Sequence, residues 1–92
     1  SEVDVFPSPF HTPKDKQLVV DGLKEGSGVM IMTLNGTVLR KLEEDNGGVS
    51  GYQAFWDGKD SSGRFVGSGV YLIAIYGSDG SSSFEKITVI RH

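Results

Sequence analysis

Short apolar runs, recurring at intervals of about ten residues and separated by polar stretches rich in glycine or, after the first run, in proline, constrain this chain more than any other feature. The runs are Val3 to Phe6, Gln17 to Asp21, Gly28 to Leu34, Thr37 to Leu42, Tyr52 to Trp56, Val70 to Tyr76 and Phe84 to Ile90. Each is four to seven residues long and either alternates apolar with polar side chains or is rich in β-branched and aromatic ones. That length and pattern predict strands, and no stretch keeps a helical period. Only Thr37 to Asp45, TVLRKLEED, admits a helical turn; its alternation of Val38, Arg40 and Leu42 with Leu39, Lys41 and Glu43 favours strand. Seven short strands at this spacing predict an all-β sandwich.

The breaks carry specific turn chemistry. Glycine makes up 13 of 92 residues, about twice the ordinary ~7%. Asn35-Gly36 between two apolar runs predicts a two-residue type I′ hairpin turn, and Asp79-Gly80 a longer hairpin loop. Asn46-Gly47-Gly48 and the segment DGKDSSG (Asp57 to Gly63) predict further loops. Val70 to Tyr76 is apolar on both faces and so belongs at the centre of a sheet. The expected core is Val29, Ile31, Leu39, Phe55, Trp56, Val70, Leu72, Ile87 and Val89, with Trp56 the largest contributor.

Size and charge narrow the function. Residues 1–92 form one domain, without a cysteine to cross-link it. A net charge of −3 and a pI near 5.2 leave no cationic excess for phosphate counterion release, so no nucleic acid is expected. The longest apolar run, Val70 to Tyr76, falls short of the ~20 residues that cross a bilayer, and no membrane insertion is expected. The imidazoles are His11, beside prolines, and His92. Neither offers a rigidly held general base, and no enzyme activity is expected. Asp57 and Asp60 read as turn caps, because Lys59 stands where a calcium loop needs an oxygen ligand. Gly63, Gly67 and Gly69 precede a strand and not a helix, which argues against a phosphate loop. No metal or cofactor is expected. Asn35-Gly36-Thr37 is formally a glycosylation sequon, but tight-turn chemistry accounts for it.

Three blocks then resemble a known family. F-P-S-P-F (Phe6 to Phe10), V-M-I-M-T-L-N-G-T-V-L-R-K-L (Val29 to Leu42) and F-W-D-G-K-D-S-S-G-R-F-V-G-S-G-V-Y (Phe55 to Tyr71) are similar to the marks of the FlgD-like immunoglobulin domain. They also resemble the related C-terminal sorting domain of type IX (Por) secretion, whose final strand E-K-I-T-V-I-R-H (Glu85 to His92) resembles. Ser8, Thr33 and the ending Arg91-His92 depart from the usual Asn, Asp and Lys.

The resemblance implies an immunoglobulin-like antiparallel sandwich, with Pro7, Pro9, Gly36, Trp56, Asp57, Gly58, Gly63, Ser68, Gly69 and Tyr71 as its structural motif residues. It implies a non-catalytic C-terminal domain, excised from a larger secreted protein, that acts as a sorting signal. Its partners would be the outer-membrane translocon, shuttle and sortase-like attachment proteins, and the rest of its parent. It would pass through the periplasm to the cell surface, cleaved from most cargo but retained in some surface components of the machinery. Recognition would use the last strand or a sheet edge, through Glu85, Lys86, Thr88, Ile90 and Arg91. An exposed edge also allows two copies to pair as a homodimer. Two alternatives stay open. One is a structural module, as in hook capping or a spacer behind an enzyme; the other is a glycan- or lipopolysaccharide-binding module using Tyr52 and Phe65.

Overall fold

The computed structural model describes residues 3–92. All seven expected strands form, and two short ones join them. In chain order they are β1 (Asp4–Phe6), β2 (Phe10–Thr12), β3 (Leu18–Asp21), β4 (Gly28–Met32), β5 (Val38–Leu42), β6 (Val49–Ser50), β7 (Gln53–Trp56), β8 (Gly69–Tyr76) and β9 (Ser82–Arg91). The stretch after Leu42 does turn helical, but only as a single 3-10 turn at Glu44–Asn46. Asn46 holds that turn, its Oδ1 accepting the N–H of Glu43 and of Gly48, each at 2.9 Å.

Two sheets pack face to face, one in the order β1-β3-β7-β6 and the other β2-β9-β8-β4-β5. This is the immunoglobulin arrangement: an ABED sheet against a GFC sheet extended by C′, with β8 as strand F and β9 as strand G. All pairs are antiparallel except β2 with β9, which run parallel from Phe10↔Val89 to Thr12↔Arg91. The prolines explain the crossing. Pro7 and Pro9 lack the N–H a ladder needs, so the chain leaves the first sheet at Phe6 and enters the second at Phe10.

Tyr71 marks the same fold from its side chain. At the start of β8 its hydroxyl donates to the carbonyl of Gly67, four residues back, at 2.6 Å, the tyrosine corner of immunoglobulin domains. Burial pushes its pKa up. Two residues on, where such domains carry a disulfide cysteine, stands fully buried Ile73, and the β3 residues turned inward are Leu18 and Val20. Aliphatic packing takes the place of the cross-link.

Three hairpin ends share one construction. Thr33/Thr37, Asp60/Arg64 and Gly77/Ser81 each close a three-residue loop with an N–H to carbonyl bond of 2.8–2.9 Å. The third loop residue, Gly36, Gly63 or Gly80, has φ between 87° and 95° and nothing within 4 Å of where a Cβ would sit. Gly36 therefore does not serve a type I′ turn, which needs positive φ at both central residues; among the described residues no non-glycine residue has positive φ. The loop is a β-turn followed by a left-handed glycine.

The core centres on Trp56, fully buried, with Phe10 at 5.7 Å and Tyr71 at 6.5 Å between ring centroids. Val29, Ile31, Ile87 and Val89 are buried as expected. Four expected core residues are not. Val70 is 42% exposed and Leu72 half-buried, because Tyr71, Ile73 and Ile75 form the inward face of β8. Leu39 sits in the register shift between β4 and β5, beyond which Leu42 meets Val29 inward. Phe55 pairs with Val19 on the outer face of its sheet.

Candidate functional site

The Trp56 to Tyr71 segment is built around one carbonyl. That of Lys59 accepts the Trp56 indole N–H at 2.9 Å and the Arg40 guanidinium at 3.0 Å. Arg40 also pairs with Asp57 at 2.9 Å, and the same Asp57 Oδ1 accepts the Lys59 N–H at 3.0 Å. Asp57 thus caps its own turn, as does Asp60, whose Oδ1 accepts the N–H of Ser62 and of Arg64. The Ser62 hydroxyl first, then those N–H bonds, hold the Asp60 carboxyl below its usual range. Among the described residues no three His, Cys, Asp or Glu side chains converge as a metal site would need.

The same segment grips the chain's far end. Gly58 has φ +84°, and a Cβ there would lie 2.7 Å from Thr12 Cγ2 in β2. Ser68 Oγ accepts the backbone N–H of Arg91 at 2.9 Å. Phe65 has two cations over its ring, Lys59 Nζ at 5.1 Å and the Arg91 guanidinium at 6.0 Å from its centroid. Pro7, Pro9, Gly36, Gly63 and Tyr71 have their places in the fold above, and Gly69 opens β8 at φ +159°.

The last strand is less of an edge than expected. β8 pairs with it from Ser82 to Val89, and β2 covers its other side from Val89 to Arg91. Val89 alone is paired on both sides; Ile90 and Arg91 pair with β2 only, and no described strand adjoins Ser82 to Thr88 on the side away from β8. The five residues singled out in the sequence divide between the two faces. Lys86 and Thr88 point outward, exposed, opposite Leu72 and Val70; Ile90 is half-buried opposite His11; Arg91 is exposed. Glu85 faces inward, half-buried, opposite Ile73. Around Lys86 the outer face of this sheet is apolar, with Met30, Met32, Leu72 and Phe84, the last 59% exposed.

Two features of the terminus were not legible in the sequence. His11 Nδ1 and His92 Nε2 lie 2.8 Å apart with the rings stacked at 5.0 Å, and the His92 N–H bonds the Thr12 carbonyl at 2.8 Å. The sequence gives neither imidazole a fixed setting; parallel pairing of β2 with β9 brings them together. Tyr76 closes the other end of the sheet. Its ring covers Gly28, where a Cβ would come within 2.5 Å, and its hydroxyl donates to Glu43 Oε2 at 2.9 Å. Burial, then that bond, pushes its pKa up to about 12.

A two-sheet immunoglobulin-like domain with a clamped terminal strand is the class these features define. No protein-family model matches the chain, and no curated protein does. Among solved structures it is similar to part of PorZ, described as an essential bacterial surface component of the type IX secretion system of Porphyromonas gingivalis. The TM-score is 0.80 and the identity 27%, over 98% of this chain and 12% of that one. The chain thus spans about an eighth of the PorZ chain. A second structure, CopC from Methylosinus trichosporium OB3b, aligns with TM-score 0.48 and 16% identity over 99% of this chain and 96% of that one. The PorZ likeness bears on the type IX side of the resemblance in the sequence and not on the hook-capping side.

Proposed function

We propose that this chain is a non-catalytic domain of type IX secretion, recognised through its last strand by the translocation and surface-attachment machinery. The observation that carries this reading is the likeness to a segment of PorZ over nearly the whole chain. The last strand supports it: Lys86 and Thr88 stand exposed on an apolar sheet face, and Arg91 is displayed beside Phe65. In this reading the domain is exported, crosses the periplasm and works at the cell surface.

The test uses the parent protein in a bacterium with a type IX system, carrying Lys86→Glu and Arg91→Glu together. Both side chains are exposed, so the fold should survive, which circular dichroism of the isolated domain checks. Accumulation of parent protein in the periplasm is the expected result. Normal display at the surface by a folded variant would overturn the reading and leave a structural spacer in its place.

A further inference from the structure

The inward face of β9 breaks the rule the rest of the core obeys. Ile87 and Val89 are buried apolar residues, but the next two inward positions toward the hairpin are Glu85 and Ser83, opposite buried Ile73 and Ile75. Polar residues at core-facing positions depart from the pattern of a packed core, and such departures are expected at functional or strained sites. Ser83 lines a half-open pocket of about 240 Å³ whose apolar lining is Val3, Leu23 and Ile75 and whose polar lining includes Lys24, Ser27 and Ser82. An engineered apolar cavity of about 150 Å³ holds a benzene ring, so this one has room for a large apolar side chain. Among the described residues the single ion pair is Arg40 with Asp57, and Glu85 makes none.

β2 begins its pairing only at Val89, so no described strand adjoins Ser82 to Thr88 on the side away from β8. A strand added there would lie about 4.8 Å from β9 and set its own inward side chains next to Ser83 and Glu85, which are two residues apart. We infer that this half-edge is a binding site for an extended peptide segment carrying a large apolar side chain and, two residues away, a Lys or Arg. The apolar side chain enters the cavity beside Ser83 and the cation pairs with Glu85, while the backbone hydrogen bonds of the added strand give affinity without regard to sequence. The inference rests on the last strand being a recognition element, and it names the chemistry of what that strand would recognise.

The probes are end-capped heptapeptides, Thr-Thr-Phe-Thr-Lys-Thr-Thr and its reverse order, titrated into the isotope-labelled domain and followed by amide shifts. Shifts centred on Ser82 to Ile87 are expected for at least one of the two, and the tighter order fixes the strand's direction. Replacing Phe by Ala should weaken binding about tenfold or more, and replacing Lys by Glu should weaken it several-fold. Glu85→Lys should reverse the Lys over Glu preference, and Ser83→Phe, which fills the cavity, should erase the Phe over Ala preference. Equal binding of all peptides, shifts centred on β5 or β6, or no shift at millimolar peptide would overturn the inference. Its failure is separable from that of the secretion reading. Peptide selectivity in a domain whose Lys86/Arg91 variant is exported normally keeps the site and removes the secretion role; lost export without peptide selectivity does the reverse.

Discussion

The hydroxyl of Ser68 accepts the backbone N–H of Arg91 at 2.9 Å, across 23 residues of sequence. A loop residue of the central motif thereby fixes the strand that ends the chain. Ser68→Ala should cost about 0.5–1.5 kcal/mol in denaturant unfolding. The sharper readout is local: amide exchange should quicken at Arg91 but not at Ile73 in the core.

Gly58 and Gly63 separate two reasons for glycine. Both have strongly positive φ, but a Cβ on Gly58 would meet Thr12 Cγ2 at 2.7 Å whereas one on Gly63 would meet nothing within 4 Å. Gly63→Ala should cost about 1–2 kcal/mol from backbone conformation alone. Gly58→Ala should cost about 1–3 kcal/mol more from the clash. Thr12→Ser, which removes Cγ2, should recover part of that extra cost and none of the Gly63→Ala cost.

Thr12 is fully buried, and its Oγ1 has no hydrogen-bond partner. Burying a hydroxyl unpaired costs about 1–3 kcal/mol. Thr12→Val keeps the shape and β-branching and removes the polar atom, so it should raise the unfolding midpoint, by about 1 kcal/mol of stability. A lower midpoint would show that the hydroxyl is satisfied in solution.

Tyr76 predicts an alkaline transition. Its pKa rises from 10.0 to about 12 in the fold, so folding favours the neutral phenol. Its contribution is complete below pH 10 and is lost as the pH climbs through 12. Tyr76→Phe should therefore lose stability near neutral pH, through the missing bond to Glu43, yet decline less steeply than the parent chain between pH 10 and 12. Urea midpoints of the two proteins across that range make the comparison.

What the sequence showed and what it hid have physical causes. The seven strands were legible because proline- or glycine-containing stretches separate the runs, and Trp56 because a lone indole in a strand has few places to go but the core. β2 was hidden because Phe10–Thr12 lies between Pro9 and Pro13 and finds its partner almost eighty residues later. β6, two residues long, is too short to show alternation. The inward face of β8 was misjudged because both faces are apolar, so alternation cannot choose between Val70 and Tyr71. The motif residues were legible as a pattern, but their joint work on the Lys59 carbonyl and the Arg91 N–H was not, since those partners are backbone atoms that side-chain identity does not encode. The open half of β9 was hidden for a similar reason: which strand stops short beside it depends on the parallel register of β2.

That parallel pairing also has a mechanical consequence. A pull between the two ends of the chain draws β2 and β9 in opposite directions along their shared axis. The bonds between Phe10–Thr12 and Val89–Arg91 are then loaded in shear, all together, instead of being opened one at a time from an end. A load applied at the two ends meets the β1–β3 pairs of Asp4–Phe6 and then these three residue pairs before it reaches the core around Trp56.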